Sequence, residues 1–104
     1  MRVMIVGAAL VLCACATQAR YGITTVPAER ATANESVIEA VHKALPDEES
    51  SCAVHVIDRT KPTPLPSGTE HIATAVVCNK IERFTVQIIP TSQDQATVSA
   101  RRLE

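Results

Sequence analysis

Ile72-Ala-Thr-Ala-Val-Val-Cys-Asn-Lys-Ile-Glu-Arg-Phe-Thr-Val-Gln-Ile-Ile89 is the richest apolar stretch beyond the N-terminal twenty residues. Phe84, Val86 and Ile88 alternate with Arg83, Thr85 and Gln87, the two-residue period of a strand with one buried face. Polar Asn79-Lys80 divides the stretch and predicts a tight turn between two antiparallel strands. In the first strand, Glu70 to Cys78, the apolar residues Ile72, Val76 and Cys78 are expected to share the buried face.

Upstream, Ser51 to Arg59 reads as a partner strand, with Cys52, Val54 and Val56 on one side and Ala53, His55 and Ile57 on the other. Setting Cys52 opposite Cys78 places Val54 against Val76, Val56 against Thr74 and Arg59 against His71. That register leaves Thr60 to Glu70 as the connecting loop, and the prolines fall inside it. The match predicts a Cys52–Cys78 disulfide, worth about 3 kcal/mol on the chain-entropy argument. Pro62, Pro64 and Pro66, with Leu65 near the tip, are expected to stay out of any ladder and to hold a stiff extended loop. This loop is a candidate binding site, because a pre-extended segment loses little entropy on docking. It also has a plainer reading as a rigid connection. Downstream, Pro90 to Gln95 is a polar turn. Ala96 to Leu103 is read as a fourth strand in preference to a short helix, since Thr97, Val98 and Ser99 are poor helix formers.

Asn34 to Leu45 has the helical period: Val37, Ile38, Val41, Ala44 and Leu45 form one stripe, and Glu39 and Lys43 pair on the wet side. Asn34 is expected to cap the helix and Pro46 to end it. An acidic turn, Asp47 to Ser51, follows. Residues 17–33 lack a sustained apolar period and read as a flexible linker. Within them Ile23 to Val26 has an alternative reading as a short edge strand ended by Pro27.

Met1 to Ala16 reads as an export signal: Arg2, an apolar run from Val3 to Leu12 too short to span a bilayer, then small residues. Leu12-Cys13-Ala14-Cys15 resembles a bacterial lipobox, which implies cleavage before Cys15 and lipidation of that cysteine. The competing route is ordinary signal-peptidase cleavage ending at Ala16 or Ala19.

The 104 residues carry 10 Lys and Arg against 11 Asp and Glu, and Tyr21 and Phe84 are the only aromatic residues. There is no basic excess for a phosphate backbone and little to stack on bases, so no nucleic-acid partner is expected. Cys52, His55, His71 and Cys78 have a metal-like spacing, but each odd offset sends histidine and cysteine to opposite faces of a strand. No nucleophile elbow and no phosphate-cradling glycine loop is present. No catalytic residue, metal or cofactor is assigned.

The expected fold is α+β: one N-terminal helix packed on a three- or four-stranded antiparallel meander, stapled by the disulfide, over residues 34–104. The expected function is that of a small exported cell-envelope lipoprotein, a non-enzymatic binding or accessory module. It would be held to the membrane by its N-terminal lipid and work on another envelope protein. A soluble secreted inhibitor or effector using loop 60–70 is the alternative, and a small enzyme or metal carrier is the third.

Overall fold

The computed structural model describes residues 20–103. The expected leader, the lipobox and Cys15 lie outside the described residues. Within them the fold is α+β, one helix against a six-stranded antiparallel sheet. The strands are β1 (Tyr21–Pro27), β2 (Val54–Arg59), β3 (Thr63–Leu65), β4 (Gly68–Val77), β5 (Lys80–Pro90) and β6 (Gln95–Arg102). The helix α1 spans Asn34–Ala44. The sheet order is β1-β6-β5-β4-β2, and β3 also pairs with β4.

The sheet therefore has more strands than the expected meander, and the helix is not its N-terminal element. Residues 21–27, read as linker, form β1, so Ile23 to Val26 is the edge strand of the alternative reading. β1 lies antiparallel to β6, with Tyr21 opposite Arg101 and Pro27 opposite Gln95. Local period failed here because half of β1 faces the helix through small or polar residues, buried Gly22 and Thr24. A Cβ at Gly22 would stand 1.9 Å from the carbonyl oxygen of Ala40, so glycine is what lets α1 settle on this strand.

The free edge of β1 is protected by a lysine and a proline. Lys43 Nζ donates to the carbonyl of Ile23, which must point away from β6. Backbone groups alternate along an antiparallel strand, so Tyr21, Ile23, Thr25 and Pro27 all aim theirs off the edge. Pro27 has no N–H to strand there.

α1 buries Ser36, Val37, Ala40, Val41 and Ala44. It touches β1 and β6 on one side and β2 on the other, so the sheet curls around it. The Glu39–Lys43 pair forms at 3.6 Å, as the spacing predicts. Asn34 does not cap the helix. The N-cap is Ala33, with no side-chain bond, and Asn34 Oδ1 instead accepts from Arg59 Nη1 at 2.9 Å. Lying inside the first turn, Asn34 is past the point where its side chain could reach back to the first amides.

β4 also corrects the sequence reading. His71, Ala73, Ala75 and Val77 face the core, while Ile72, Thr74 and Val76 lie on the opposite face. Ala73 stands across from Phe84, the largest fully buried side chain. A small residue is needed there, and the bulkier Ile72 and Val76 are sent outward. The β2–β4 register is accordingly Val54 with Val77 and Val56 with Ala75, one residue from the expected pairing. A slip of one residue exchanges the two faces of a strand. A bulge at Ile57 then resets the pairing to Asp58 with Thr74 and Arg59 with Ala73.

The core is α1 against the inner face of β4, β5 and β6: Val37, Val41, Leu45, Val77, Phe84, Val86 and Val98, with alanines between. The outer face of the sheet carries no layer among the described residues. Tyr21, Ile23, Ile81, Arg83 and Arg101 are exposed on it, around half-buried Thr85, Gln87, Thr97 and Ser99.

Candidate functional site

Cys52 and Cys78 are bonded, with their Cα atoms 5.3 Å apart. Neither lies in a ladder. Cys52 precedes β2, and Cys78 is the first central residue of the β4–β5 turn, closed by Val77 opposite Lys80. Cys78 and Asn79 have φ of 53° and 64°. Positive φ at both central residues is the requirement of a type I′ turn, whose twist suits the strands it joins. The turn is thus centred one residue before the expected Asn79-Lys80. The bridge ties this turn to the chain entering β2 and closes one end of the core, against which both cysteines pack.

The proline segment sits at the other end of β4. Thr63–Leu65 forms β3, paired with Glu70, Thr69 and Gly68, and Pro66-Ser67 makes the two-residue turn. This overturns the expectation that every proline stays outside the ladder. The closing pair of such a hairpin, Leu65 with Gly68, is the bonded one, so Pro64 opposite Thr69 falls at a non-bonded position. Its missing N–H faces outward, where an edge strand tolerates it. Pro62, Pro64 and Pro66 are exposed and Leu65 is half-buried. Gly68 is pressed against β5, since a Cβ there would stand 2.1 Å from the carbonyl oxygen of Ile88. Disulfide and proline hairpin are separated by the length of β4, about 30 Å at 3.3 Å per residue.

Between these ends lies a clasp that the sequence did not reveal. Arg59 Nε donates to His71 Nε2 at 3.1 Å, while its Nη1 donates to the carbonyl of Thr32 and to Asn34 Oδ1. One guanidinium thus joins β2, β4 and the start of α1. Because Nε2 accepts, the imidazole is neutral with its proton on Nδ1. Burial first, and the adjacent Arg59 charge second, push His71 below the usual histidine value. Burial also lowers Arg59. The bulge at Ile57 brings Arg59 to the inner face, and no local signal marks a bulge at that position.

The four residues with metal-like spacing do not converge. The cysteines are consumed by each other, His71 is buried against Arg59, and His55 is exposed on the outer face opposite Val76. Among the described residues no group of three His, Cys, Asp or Glu side chains stands close enough to hold a metal ion. A shallow apolar groove of about 350 Å³ runs between α1 and the chain entering β2, lined by Ile38, Cys52 and Val54 beneath Glu35, Glu39 and His42.

The outer sheet face carries two smaller depressions that share Glu70, Thr85 and Arg101. Gln87 Nε2 donates to Glu70 at 3.1 Å, and the Arg101 guanidinium lies 5.6 Å from the centre of the Tyr21 ring. At the inner rim Arg102 reaches Glu49 at 2.6 Å and Glu82 at 3.5 Å, and stacks over Phe84. That pairing fixes the acidic turn Asp47–Glu49 to the sheet. The arrangement offers surfaces and an edge hairpin for contact.

No family model, no curated protein and no solved structure matches this chain.

Proposed function

We propose that the protein is a small exported cell-envelope lipoprotein, anchored through Cys15, that acts as a non-enzymatic binding or accessory module for another envelope protein. The observation that carries this reading is the pairing of the Leu12-Cys13-Ala14-Cys15 motif with the Cys52–Cys78 disulfide. A disulfide packed against the core belongs to an oxidising compartment, and the motif supplies both the route there and the anchor. The exposed proline hairpin favours a second reading, a soluble secreted module that presents Pro62, Pro64, Leu65 and Pro66 to its target.

Intact mass of the protein expressed in a bacterial host separates the two. A mature chain beginning at Cys15 and carrying a diacylglycerol mass is expected, with Cys15→Ala moving the protein to the soluble fraction. A mature N-terminus at Thr17 or Arg20 overturns the lipoprotein reading in favour of the secreted one.

A further inference from the structure

Five residues, Ala16 to Arg20, separate Cys15 from the first residue of β1. Fully extended, six Cα steps reach about 20 Å. A lipid on Cys15 would therefore hold the Tyr21 end of the sheet close to the headgroups. Two surfaces meet at that end. On the helix side is the acidic turn, where Asp47 pairs with Arg20 at 3.7 Å and Glu49 with Arg102, leaving Glu48 unpaired among the described residues. On the bare side Tyr21 is 60%, Ile23 55% and Ile81 69% exposed. Arg101 stands across from Tyr21 and from Thr85, with Arg83 two residues along β5, a diagonal separation of about 7–8 Å. Arg83 and Arg101 are exposed, and neither makes a salt bridge among the described residues. Of the acidic groups of this face, Asp58 lies on β2, away from the corner, and Glu70 lines the same depressions as Arg101 but makes no salt bridge to it and is held by Gln87.

We propose that the protein lies with this bare corner of the sheet against an anionic lipid surface. Arg83 and Arg101 meet lipid phosphates, while Tyr21, Ile23 and Ile81 sit at the headgroup boundary. The inference rests on the lipoprotein reading for its tether but adds an orientation to it. Cations near an anionic leaflet attract it, and an aromatic ring with a polar tip prefers the interface. The acidic turn on the opposite layer is repelled by the same leaflet, so the helix side is turned away. The proline hairpin, at the far end of β4, then stays accessible.

The test uses residues 16–104, which contain every core residue and the disulfide but no lipidated cysteine, mixed with vesicles. Sedimentation with phosphatidylglycerol–phosphatidylethanolamine vesicles in 50 mM salt is expected, with loss of binding as salt is raised and none to phosphatidylcholine. At about 1 kcal/mol per cation, Arg83→Gln with Arg101→Gln should weaken partitioning about 30-fold. Lys61→Gln, an exposed cation beside the proline hairpin at the far end of β4, should leave it unchanged. Tyr21 is the sole tyrosine, and no tryptophan is present. Its emission should be quenched by brominated lipid. Absence of binding to the anionic vesicles, or equal binding by the double variant, overturns the proposal. So does a larger loss from Lys61→Gln. Because no lipid is attached, these outcomes are independent of whether Cys15 is modified. Vesicle binding by a chain found unlipidated in cells would uphold the docking face and remove only the anchor.

Discussion

Gly22→Ala is the substitution that most directly probes how the helix meets the sheet. The added Cβ would lie 1.9 Å from the carbonyl oxygen of Ala40, 2.5 Å from the nitrogen of Ala44 and 2.9 Å from the carbonyl carbon of Lys43. All three are backbone atoms, so no rotamer change relieves the contact. Ordinary carbon–oxygen separation is well above 3 Å, so α1 must withdraw by more than 1 Å. That loosens Ala40, Val41 and Ala44 from the sheet. Overpacking that side chains can absorb costs about 1–3 kcal/mol, and a rigid backbone contact belongs at the upper end, about 3 kcal/mol. The whole fold is held by roughly 4–12 kcal/mol, taking 0.05–0.15 per residue. With a urea slope of about 1 kcal/mol/M for so small a domain, the midpoint should fall by about 3 M. Circular dichroism during urea titration measures it, with Thr25→Ala on the exposed side of the same strand as the neutral control. A Gly22→Ala midpoint within about 0.3 M of the parent would refute the close approach of α1 to β1.

Val41 is fully buried, so Val41→Asp places an unpaired charge in the core and should leave little folded protein, whereas exposed Glu39→Ala should be nearly neutral; equal urea midpoints would contradict the buried stripe. Reduction of Cys52–Cys78, 26 residues apart, should remove about 3.5 kcal/mol on the chain-entropy argument while the strands keep their far-ultraviolet signal. Two free thiols in freshly exported protein would contradict the bridge. His71 is lowered in the fold, so between its folded value and about 6.5 the unfolded chain binds the proton and the native one does not. Stability should therefore fall as pH drops below about 6.5 and level off below the folded value. His71→Gln should flatten that slope, and an unchanged urea-midpoint profile from pH 8 to pH 5 would place the dependence elsewhere. Asn79→Val should cost about 1–2 kcal/mol, because a β-branched residue does not accept φ of 64°, while Asn79→Gly should be tolerated. Comparable thermal midpoints for the two would argue against the type I′ turn.

What the sequence disclosed followed from strong local signals. The period of Val37, Val41 and Ala44 placed the helix, and the alternation of Phe84, Val86 and Ile88 placed β5 on its correct face. The two cysteines of the C-terminal region found each other. The failures share one cause, which is that burial is decided between elements. Ala73 and Ala75 look less hydrophobic than Ile72 and Val76, yet beside Phe84 the middle of the inner face of β4 takes small residues. Gly22 and Thr24 carry no hydrophobic period, yet β1 is needed beside β6. Pro64 looks incompatible with a ladder until its strand is seen to be an edge. The Arg59–His71–Asn34 clasp spans three elements and depends on a bulge, so no spacing along the chain announces it. Nothing in a short local window could have shown that the described residues would leave the outer face without a second layer.

The neighbouring of β1 and β6 sets an order of events. Among the described strands β1 is made first and β6 last, and residues 28–94 must be in place before the two can pair. Closing so long a loop is an entropic barrier that local hairpins do not face. The β3–β4–β5 run can form early from adjacent segments. α1, however, rests on β1 and β6 together, and Val98 and Ala100 complete its seat. A chain that emerges N-terminus first, from a ribosome or through a membrane, cannot finish this core until Gln95–Arg102 arrives. A truncation of β6 would therefore leave α1 without its floor and β1 without a neighbour, even though the helix, both cysteines and the proline hairpin would all still be present.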